Sequence, residues 1–485
     1  MNVYKKLMTN TALIALSTFG SKLLVFLLTP FYTRVLSEAE YGVMDNVVQL
    51  ANLLIPIASV GIANAVIRFG MDSVTDRRAV YTFGIVVTAL GSASLLLLYP
   101  LLDRIPYTHG YTVLVCFYVI AANFYAACSQ FARSGGNVRL YAEAGILCTA
   151  VNIGLNILFL AVFRWGVPGY VLSSILADFT CAAFCIIKDR QWRSFSLATI
   201  LPKERRAADW DMLRYAIPLI PTTICSWVIN ISDRFIITSV LGTAENGLYS
   251  ISNKIPTILI IISNIFTYAW QLSAFVDQPR GERERLFSNV AKVYQAVAFT
   301  GAAWLMVTAK LSTIVLAAPS YYPAWREVPM LVLATTFCCL ANFLTSAYLV
   351  DKRSVATFVT IFIGAVLNVA GNLLLVHPLG AMGCAISTCI SYFVMFAIRF
   401  FHSRTSVRIR WDNGRFLASM VLVTALCFVM ICEIPYYLPL SITLTAAVTV
   451  LNFRHLIKAA LKLLRRDRGN AGNEGNEGNE GNAAS

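Results

Sequence analysis

The sequence carries little charge. Asp, Glu, Lys and Arg make up only 13% of the 485 residues, whereas 58% are hydrophobic and the mean hydropathy is +0.67. Soluble globular chains carry about twice that share of charge. Windows of roughly 20 apolar residues recur along the chain, and each is long enough to cross a ~30 Å hydrocarbon layer as a helix. The composition therefore excludes an ordinary soluble domain and predicts an integral membrane protein.

Histidine is scarce, and cysteine is not arranged as a framework. The four histidines do not cluster, and they are His109, His377, His402 and His455. All twelve cysteines fall inside or at the edges of apolar windows, where they act as small, soft residues suited to helix contacts. Cys181 and Cys185 have a metal-like spacing, but no histidine lies nearby. We therefore predict neither a metal site nor a disulfide scaffold.

The carboxylates in the short loops on one side of the membrane are scattered along the sequence and do not cluster. They are Glu38, Glu40, Asp103, Glu245, Glu327 and Glu433. A membrane enzyme such as a polysaccharide polymerase or glycosyltransferase needs clustered acid/base groups or a sizeable loop to hold them. The sequence offers neither, so an enzyme is a weaker alternative, and we expect no catalytic residues.

The apolar windows predict about fourteen transmembrane helices. Continuous runs of this length exclude barrel strands, which alternate apolar and polar residues. The predicted spans are 10–33, 43–67, 80–101, 112–132, 141–163, 167–187, 215–240, 248–275, 290–311, 328–350, 355–376, 380–400, 416–432 and 438–453.

Basic residues alternate along the chain and set the expected orientation. With the N-terminus in the cytoplasm, every other loop is rich in Lys and Arg, as the positive-inside rule requires. The net charge of +14 is thus explained by the membrane, and we expect no nucleic-acid partner. This interpretation predicts a multi-pass protein of the bacterial cytoplasmic (inner) membrane, with both termini cytoplasmic.

The chain contains an internal duplication. RVLSEAEYGVMD from Arg34 returns as SVLGTAENGLYS from Ser239, an offset of 205 residues. NIGLNILFL from Asn152 is matched by NVAGNLLLV at an offset of 216, and GVPGYVLSSILADF from Gly166 by GAMGCAISTCISYF at 214. Each repeat contains six predicted helices, so both copies enter from the same side. The repeats are parallel, an arrangement typical of transporters.

The repeats predict the domain organisation. We expect an N-terminal lobe over 1–187, a cytoplasmic linker over 188–214 and a C-terminal lobe over 215–400. Two extra helices follow over 401–453, then a basic interfacial helix over 454–468 that binds membrane lipids, and a disordered GNE-rich tail over 469–485.

Two regions carry a specific resemblance. The first contains GSKLLVFLL at Gly20, the motif from Arg34 and the run SVGIANAVIRF ending at Phe69, and the second runs from Tyr215 to Ile255. Both resemble the Wzx-type polysaccharide flippases of the MOP (MATE-like) exporter superfamily. The resemblance implies a V-shaped pair of six-helix lobes that export undecaprenyl-diphosphate-linked oligosaccharides by alternating access. It also implies a proton or sodium gradient instead of a cofactor, and polysaccharide polymerase and chain-length proteins as partners.

Charges within spans are costly and normally face a polar cavity. Lys22 lies at mid-helix, and we interpret it as lining the substrate cavity, with Asp178 as its partner or as an ion-coupling group. Asp233 and Lys254 lie at similar depth, which favours a structural ion pair and leaves Arg234 as a cavity cation. Asp233 is otherwise a second ion-coupling candidate, and Lys254 a further cavity candidate.

Arginines and asparagines complete the cavity candidates. Arg34 and Arg68 lie at helix ends, where they either extend to lipid headgroups or line the cavity. Two repeat-related amide pairs share a helix face, and they are Asn152 with Asn156 and Asn368 with Asn372. They either join helices or line a cavity suited to sugars.

Two alternatives share the expected fold. A multidrug/cation antiporter needs an acidic cavity, whereas the mid-span charges here lean basic. A lipid II flippase is closer, although helices 1 and 2 lack a dense arginine cluster.

Overall fold

The structure is a computed structural model that describes residues 26–72, 76–105, 108–199, 206–274, 280–350, 354–405 and 407–454. Within these ranges the regular structure is entirely helical, and no strand is present. The predicted all-α class is confirmed.

The helices of the first half run from residue 29 to residue 216. They are α1 (Thr29–Val35), α2 (Glu38–Ala58), α3 (Ile62–Gly70), α4 (Arg77–Leu97), α5 (Tyr99–Leu102), α6 (Thr112–Ser134), α7 (Val138–Asn156), α8 (Gly166–Lys188) and α9 (Arg206–Ala216). A π-helical segment, Ile157–Val162, continues α7, and short 3₁₀ turns follow α8 at Gln191–Arg193 and Leu197–Thr199.

The helices of the second half begin at residue 219. They are α10 (Leu219–Leu241), α11 (Thr243–Ser252), α12 (Lys254–Ala274), α13 (Arg280–Val307), α14 (Ala309–Leu316), α15 (Val328–Val350), α16 (Ser354–His402) and α17 (Asn413–Cys432). Two 3₁₀ segments occur at Pro319–Arg326 and Ser403–Thr405, and residues 437–454 are helical.

Ten of the described helical segments are long and apolar enough to span a membrane, or eleven if the bent pair α2 and α3 counts as one span. The chain is thus a multi-pass membrane protein. Helix α16 contains two of the predicted windows, which meet at Gly380, where φ is +61°. The predicted window 10–33 falls largely outside the described residues, so the total of fourteen stays a prediction.

Local sequence explains where α2 begins and bends. Ser37 accepts a hydrogen bond from the backbone N–H of Glu40, whose carboxylate accepts one from the backbone N–H of Ser37, so the helix starts at a capping box. Pro56 and the left-handed Gly61 then interrupt the backbone ladder, and α3 continues at 52° to α2. Pro56 lies within the second predicted span, 43–67.

Contacts divide the chain into two compact units. The first takes Met1–Lys254, Leu311–Glu327 and Phe358–Ser391, and the second takes Ile255–Lys310, Val328–Thr357 and Tyr392–Ser485. The first unit contains both copies of the repeated motif. Its core includes aromatic residues from both halves of the sequence, among them Tyr32, Tyr41 and Tyr321. The lobes 1–187 and 215–400 remain a prediction.

In the second unit, Arg399 is fully buried and bonds across to α15. Its guanidinium donates to the carbonyl of Ala341 at 3.0 Å and to the Thr345 hydroxyl at 2.7 Å. These bonds join the end of α16 to the middle of α15.

Candidate functional site

The two copies of the repeated motif pack directly on each other through reciprocal glycine contacts. A Cβ atom on Gly42 would overlap the backbone carbonyl of Thr243, and one on Gly247 would overlap the carbonyl of Glu38. Gly247 is the equivalent of Gly42, and Thr243 of Glu38, at the offset of 205 residues. Helices α2 and α11 therefore cross at backbone contact, with equivalent atoms on both sides, and only glycine fits at either position.

Buried asparagine side chains form hydrogen bonds across this crossing. Asn246 donates to the carbonyl of Gly42 at 3.0 Å and to the Asn46 side-chain oxygen at 3.1 Å. Asn46 in turn donates to the Thr238 hydroxyl of α10 at 2.8 Å. Asn46 and Asn246 are fully buried, so these bonds form away from water, where losing a partner costs about 1–3 kcal/mol.

An ion pair lies next to the crossing. The Arg234 guanidinium of α10 donates to both carboxylate oxygens of Asp45 on α2, each at 3.1 Å. The side chains are only 12% and 8% exposed, respectively. This pair connects residues that are 189 positions apart and belong to different repeats. Ser250, the repeat equivalent of Asp45, also donates to the Asp45 carboxylate at 2.8 Å.

The predicted ion pair between Asp233 and Lys254 is wrong: these two described side chains lie beyond ion-pair distance. Asp233 is 2% exposed and instead accepts from the Tyr249 hydroxyl at 2.6 Å. Its carboxylate also accepts from the backbone N–H of Arg234 at 2.9 Å. Similar depth along the predicted helices did not make Asp233 and Lys254 partners, because depth does not determine which side chains meet. Lys254 instead interacts electrostatically with Asp45 and Arg234.

Arg234 is largely buried and paired with Asp45, so it is not a free cation in this conformation. Two acids, Asp45 and Asp233, and two bases, Arg234 and Lys254, occupy the region, so their formal charges balance. A substrate anion would have to compete with Asp45 for the guanidinium. A role for Arg234 or Lys254 in a cationic cavity stays a prediction.

Residues 317–327, which we name the strap, contact the first copy of the motif and the end of α11, the helix that contains most of the second copy. The Tyr321 hydroxyl donates to the carbonyl of Leu36 at 2.9 Å, and the Ala318 backbone N–H donates to the Thr33 hydroxyl at 3.1 Å. At the end of α11, two residues beyond the second copy, the Ser252 hydroxyl donates to the carbonyl of Ala324 at 2.6 Å. The strap holds the ends of α1 and α11 in place.

The paired asparagines join helices within each repeat. Asn152 donates to Ser174 of α8 at 3.0 Å, and Asn156 donates to the Asn152 side-chain oxygen at 2.7 Å. The equivalent bonds recur in α16, where Asn368 donates to Thr388 at 3.0 Å and Asn372 to Asn368 at 3.2 Å. These contacts match the helix-joining interpretation, whereas a sugar-lining role for the four amides stays a prediction.

The remaining candidates do not join this site. Lys22 lies outside the described residues. Arg34 and Arg68 are exposed, as side chains that extend to headgroups would be. Asp178 accepts a hydrogen bond from the Cys148 thiol at 3.4 Å, and its ion-coupling role stays a prediction. In the searched part of the chain, no group of three or more His, Cys, Asp or Glu side chains is placed to hold a metal ion.

Sequence reasoning missed Asp45. It lies near the start of a predicted span, where a charge needs no special explanation, so it attracted no attention. The available signal was its position in the repeated motif, where an aspartate in the first copy is replaced by Ser250 in the second.

Comparison with known proteins identifies the family of the chain. The family model described as "Polysaccharide biosynthesis protein" matches residues 7–275, more than half of the chain. No curated protein sequence matches the chain.

Several solved structures share the fold. A structure described as "Lipid II flippase MurJ, inward closed conformation" has a TM-score of 0.68 at 12% identity and covers 93% of this chain and 100% of its own. An inward-facing multidrug resistance MATE family transporter of the MOP superfamily has a TM-score of 0.63 at 16% identity and covers 79% of this chain and 94% of its own. A MOP superfamily transporter from Pyrococcus furiosus has a TM-score of 0.60 at 14% identity and covers 84% of this chain and 95% of its own. The predicted MOP-type fold is confirmed.

Proposed function

Because the chain belongs to the polysaccharide biosynthesis protein family, we propose that it is a flippase for lipid-linked oligosaccharides. Its cargo is a glycan unit on an undecaprenyl-diphosphate carrier, which it moves from the cytoplasmic to the outer leaflet for cell-surface polysaccharide synthesis. The membrane-spanning helices and the MOP-type fold fit this role. We expect no cofactor, and we propose an ion gradient, of protons or sodium, as the driving force.

The observation that carries this proposal is the sealed crossing between the two copies of the motif. A sugar diphosphate cannot enter hydrocarbon, so its transporter has to expose a polar pathway to one side at a time. In the orientation given by the positive-inside rule, the crossing of α2 and α11 lies at the outer end of the helices. Here it is closed by glycine contacts and by the pair Asp45–Arg234.

Release of cargo to the outer leaflet then requires α2 and α11 to part. When they do, Arg234 loses Asp45 and becomes available to the diphosphate as the head group passes. The ion pair thus serves as a latch in one state and as an anion contact in the other. This exchange keeps the buried guanidinium compensated throughout the cycle, as its desolvation requires.

A lipid II flippase is the second candidate, because the fold is shared with the MurJ structure over 93% of this chain. The two candidates have the same diphosphate carrier and differ in the glycan. A multidrug antiporter is less favoured, because the family model that matches more than half of the chain describes polysaccharide biosynthesis.

The test is deletion of the gene in its own host. The proposal predicts loss of one surface polysaccharide and accumulation of its lipid-linked unit in the cytoplasmic leaflet, with normal cell-wall growth. Arrest of cell-wall synthesis would instead identify a lipid II flippase. Intact polysaccharide together with increased drug sensitivity would overturn both and favour an antiporter.

A further inference from the structure

A half-buried carboxyl group lies in the strap and takes no part in the Asp45–Arg234 ion pair. Glu327 is the last residue of the strap and immediately precedes α15. Its Oε2 atom lies 3.3 Å from the Ser252 hydroxyl, at the end of α11. It is thus located where the strap meets the end of α11.

The Ser252 hydroxyl has more acceptors in reach than hydrogen atoms, so it is a weak donor to an ionised Glu327. The Ser252 hydroxyl has one hydrogen and three acceptors in reach: the carbonyl of Ala324 at 2.6 Å, the carbonyl of Leu248 at 3.0 Å and Glu327 at 3.3 Å. The shortest bond takes that hydrogen to Ala324. A protonated Glu327 can donate its own hydrogen to the Ser252 oxygen, which completes a chain from Glu327 through Ser252 to Ala324.

The partial burial of Glu327 also favours the protonated form. Burial and, to a smaller extent, the negative charge of Glu245 on α11 raise the pKa of Glu327 to about 7. Its own backbone N–H, Ser252 and Arg326 act in the opposite direction. The other acids near the strap, Glu38 and Glu40, interact electrostatically with Tyr321.

We propose that Glu327 is a proton-binding site whose protonation fastens the strap to α11 and so holds the two motif copies closed. The ligand is a proton from the side of the membrane that the strap faces. When Glu327 loses its proton, the carboxylate has to be hydrated, which favours detachment of the strap from Ser252. The link from this site to cargo release depends on the proposed function, whereas the fastening itself does not.

The expected pH dependence follows from the two states of the carboxyl group. In the detached strap the pKa is the ordinary value of 4.5, and in the attached strap it is about 7. Attachment is fully favoured below pH 4.5, weakens by up to tenfold per pH unit above it and stops changing above about pH 7.

Hydrogen–deuterium exchange of the strap tests this in the full chain, purified in lipid nanodiscs. Between pH 5.5 and pH 8, we expect protection of residues 317–327 to fall by about tenfold or more, after correction for intrinsic exchange rates. Glu327→Gln, which mimics the protonated group, should stay protected at every pH. Identical profiles for the wild type and Glu327→Gln would overturn the proposal.

Two neighbouring variants keep the test decisive if Glu327→Gln does not fold. Glu245→Gln removes a charge that raises the pKa of Glu327, so its transition should move to lower pH. Arg326→Gln removes a charge that lowers it, so the transition should move to higher pH. Glu143→Gln, an exposed carboxylate paired with Arg139, is the matched control and should leave the profile unchanged. Transitions that fail to move in opposite directions would also overturn the proposal.

The exchange measurement is independent of cargo. A pH-dependent strap in a protein that moves no lipid-linked glycan would retain the proton site and reject the flippase. Flipping with a pH-independent strap would reject the proton site alone.

Discussion

Removing one partner of the pair Asp45–Arg234 should strongly destabilise the closed protein. The side chains are 8% and 12% exposed, so each single variant strands a charge away from water. Breaking a buried pair from one side typically costs about 3–5 kcal/mol. We expect Asp45→Asn and Arg234→Met each to lower the free energy of unfolding by an amount toward the lower end of this range. Asp233 still compensates Arg234 in the first variant, and Lys254 still compensates Asp45 in the second.

The double variant separates pairing from other effects. Asp45→Asn with Arg234→Met strands neither charge, so its loss should be smaller than the sum of the single losses by about 1–3 kcal/mol. The assay is equilibrium unfolding of the purified chain in mixed micelles, followed by tryptophan fluorescence. The coupling energy from the four proteins is the quantity to compare.

An exposed pair in the same unit supplies the control. Arg139 and Glu143 lie four residues apart on α7, with side chains 85% and 38% exposed. Their coupling energy should be about 0.3–0.5 kcal/mol, because water screens both charges. Additive losses at Asp45 and Arg234, or a coupling no larger than this control, would refute the claim that the pair stabilises the closed state.

Three further predictions concern the same region and the orientation. Gly42→Ala should impair folding or closure, whereas Gly154→Ala, whose Cβ meets no atom within 4 Å, should not; equal effects in an unfolding assay would contradict the close crossing. Tyr249→Phe should cost about 1–3 kcal/mol of stability, because a buried carboxylate loses its hydroxyl donor; an unchanged unfolding curve would count against this role. A reporter fused after Thr108 should be active outside the membrane and one fused after Arg206 only inside, and the reverse result would invert the proposed topology.

The sequence was sufficient for the helical class and for the repeat, because both depend on patterns that recur along the chain. The match of Gly42 with Gly247 at an offset of 205 residues identified equivalent positions. It could not reveal that these positions touch each other, because a pseudo-two-fold axis is a property of the assembled helices. Direct contact between equivalent residues appeared only in three dimensions.

The charged site was predicted in part. The sequence places Arg234 inside an apolar span, where a cation requires compensation, and its role as a cavity cation stays a prediction. Its partner was missed, since depth along a helix can be read from the sequence but the face that a side chain presents to a distant helix cannot. Asp45 is 189 residues away, and Tyr249 took the place that Lys254 was expected to fill beside Asp233.

The most direct test of the central claim is flipping by the purified chain in proteoliposomes. Vesicles contain an undecaprenyl-diphosphate-linked oligosaccharide in both leaflets, and an added glycosidase that cannot cross the membrane digests only the outer leaflet. A flippase should allow digestion to continue to the inner-leaflet pool, at a rate that increases with the amount of protein. Digestion that stops at the outer-leaflet fraction, as in protein-free vesicles, would contradict the account.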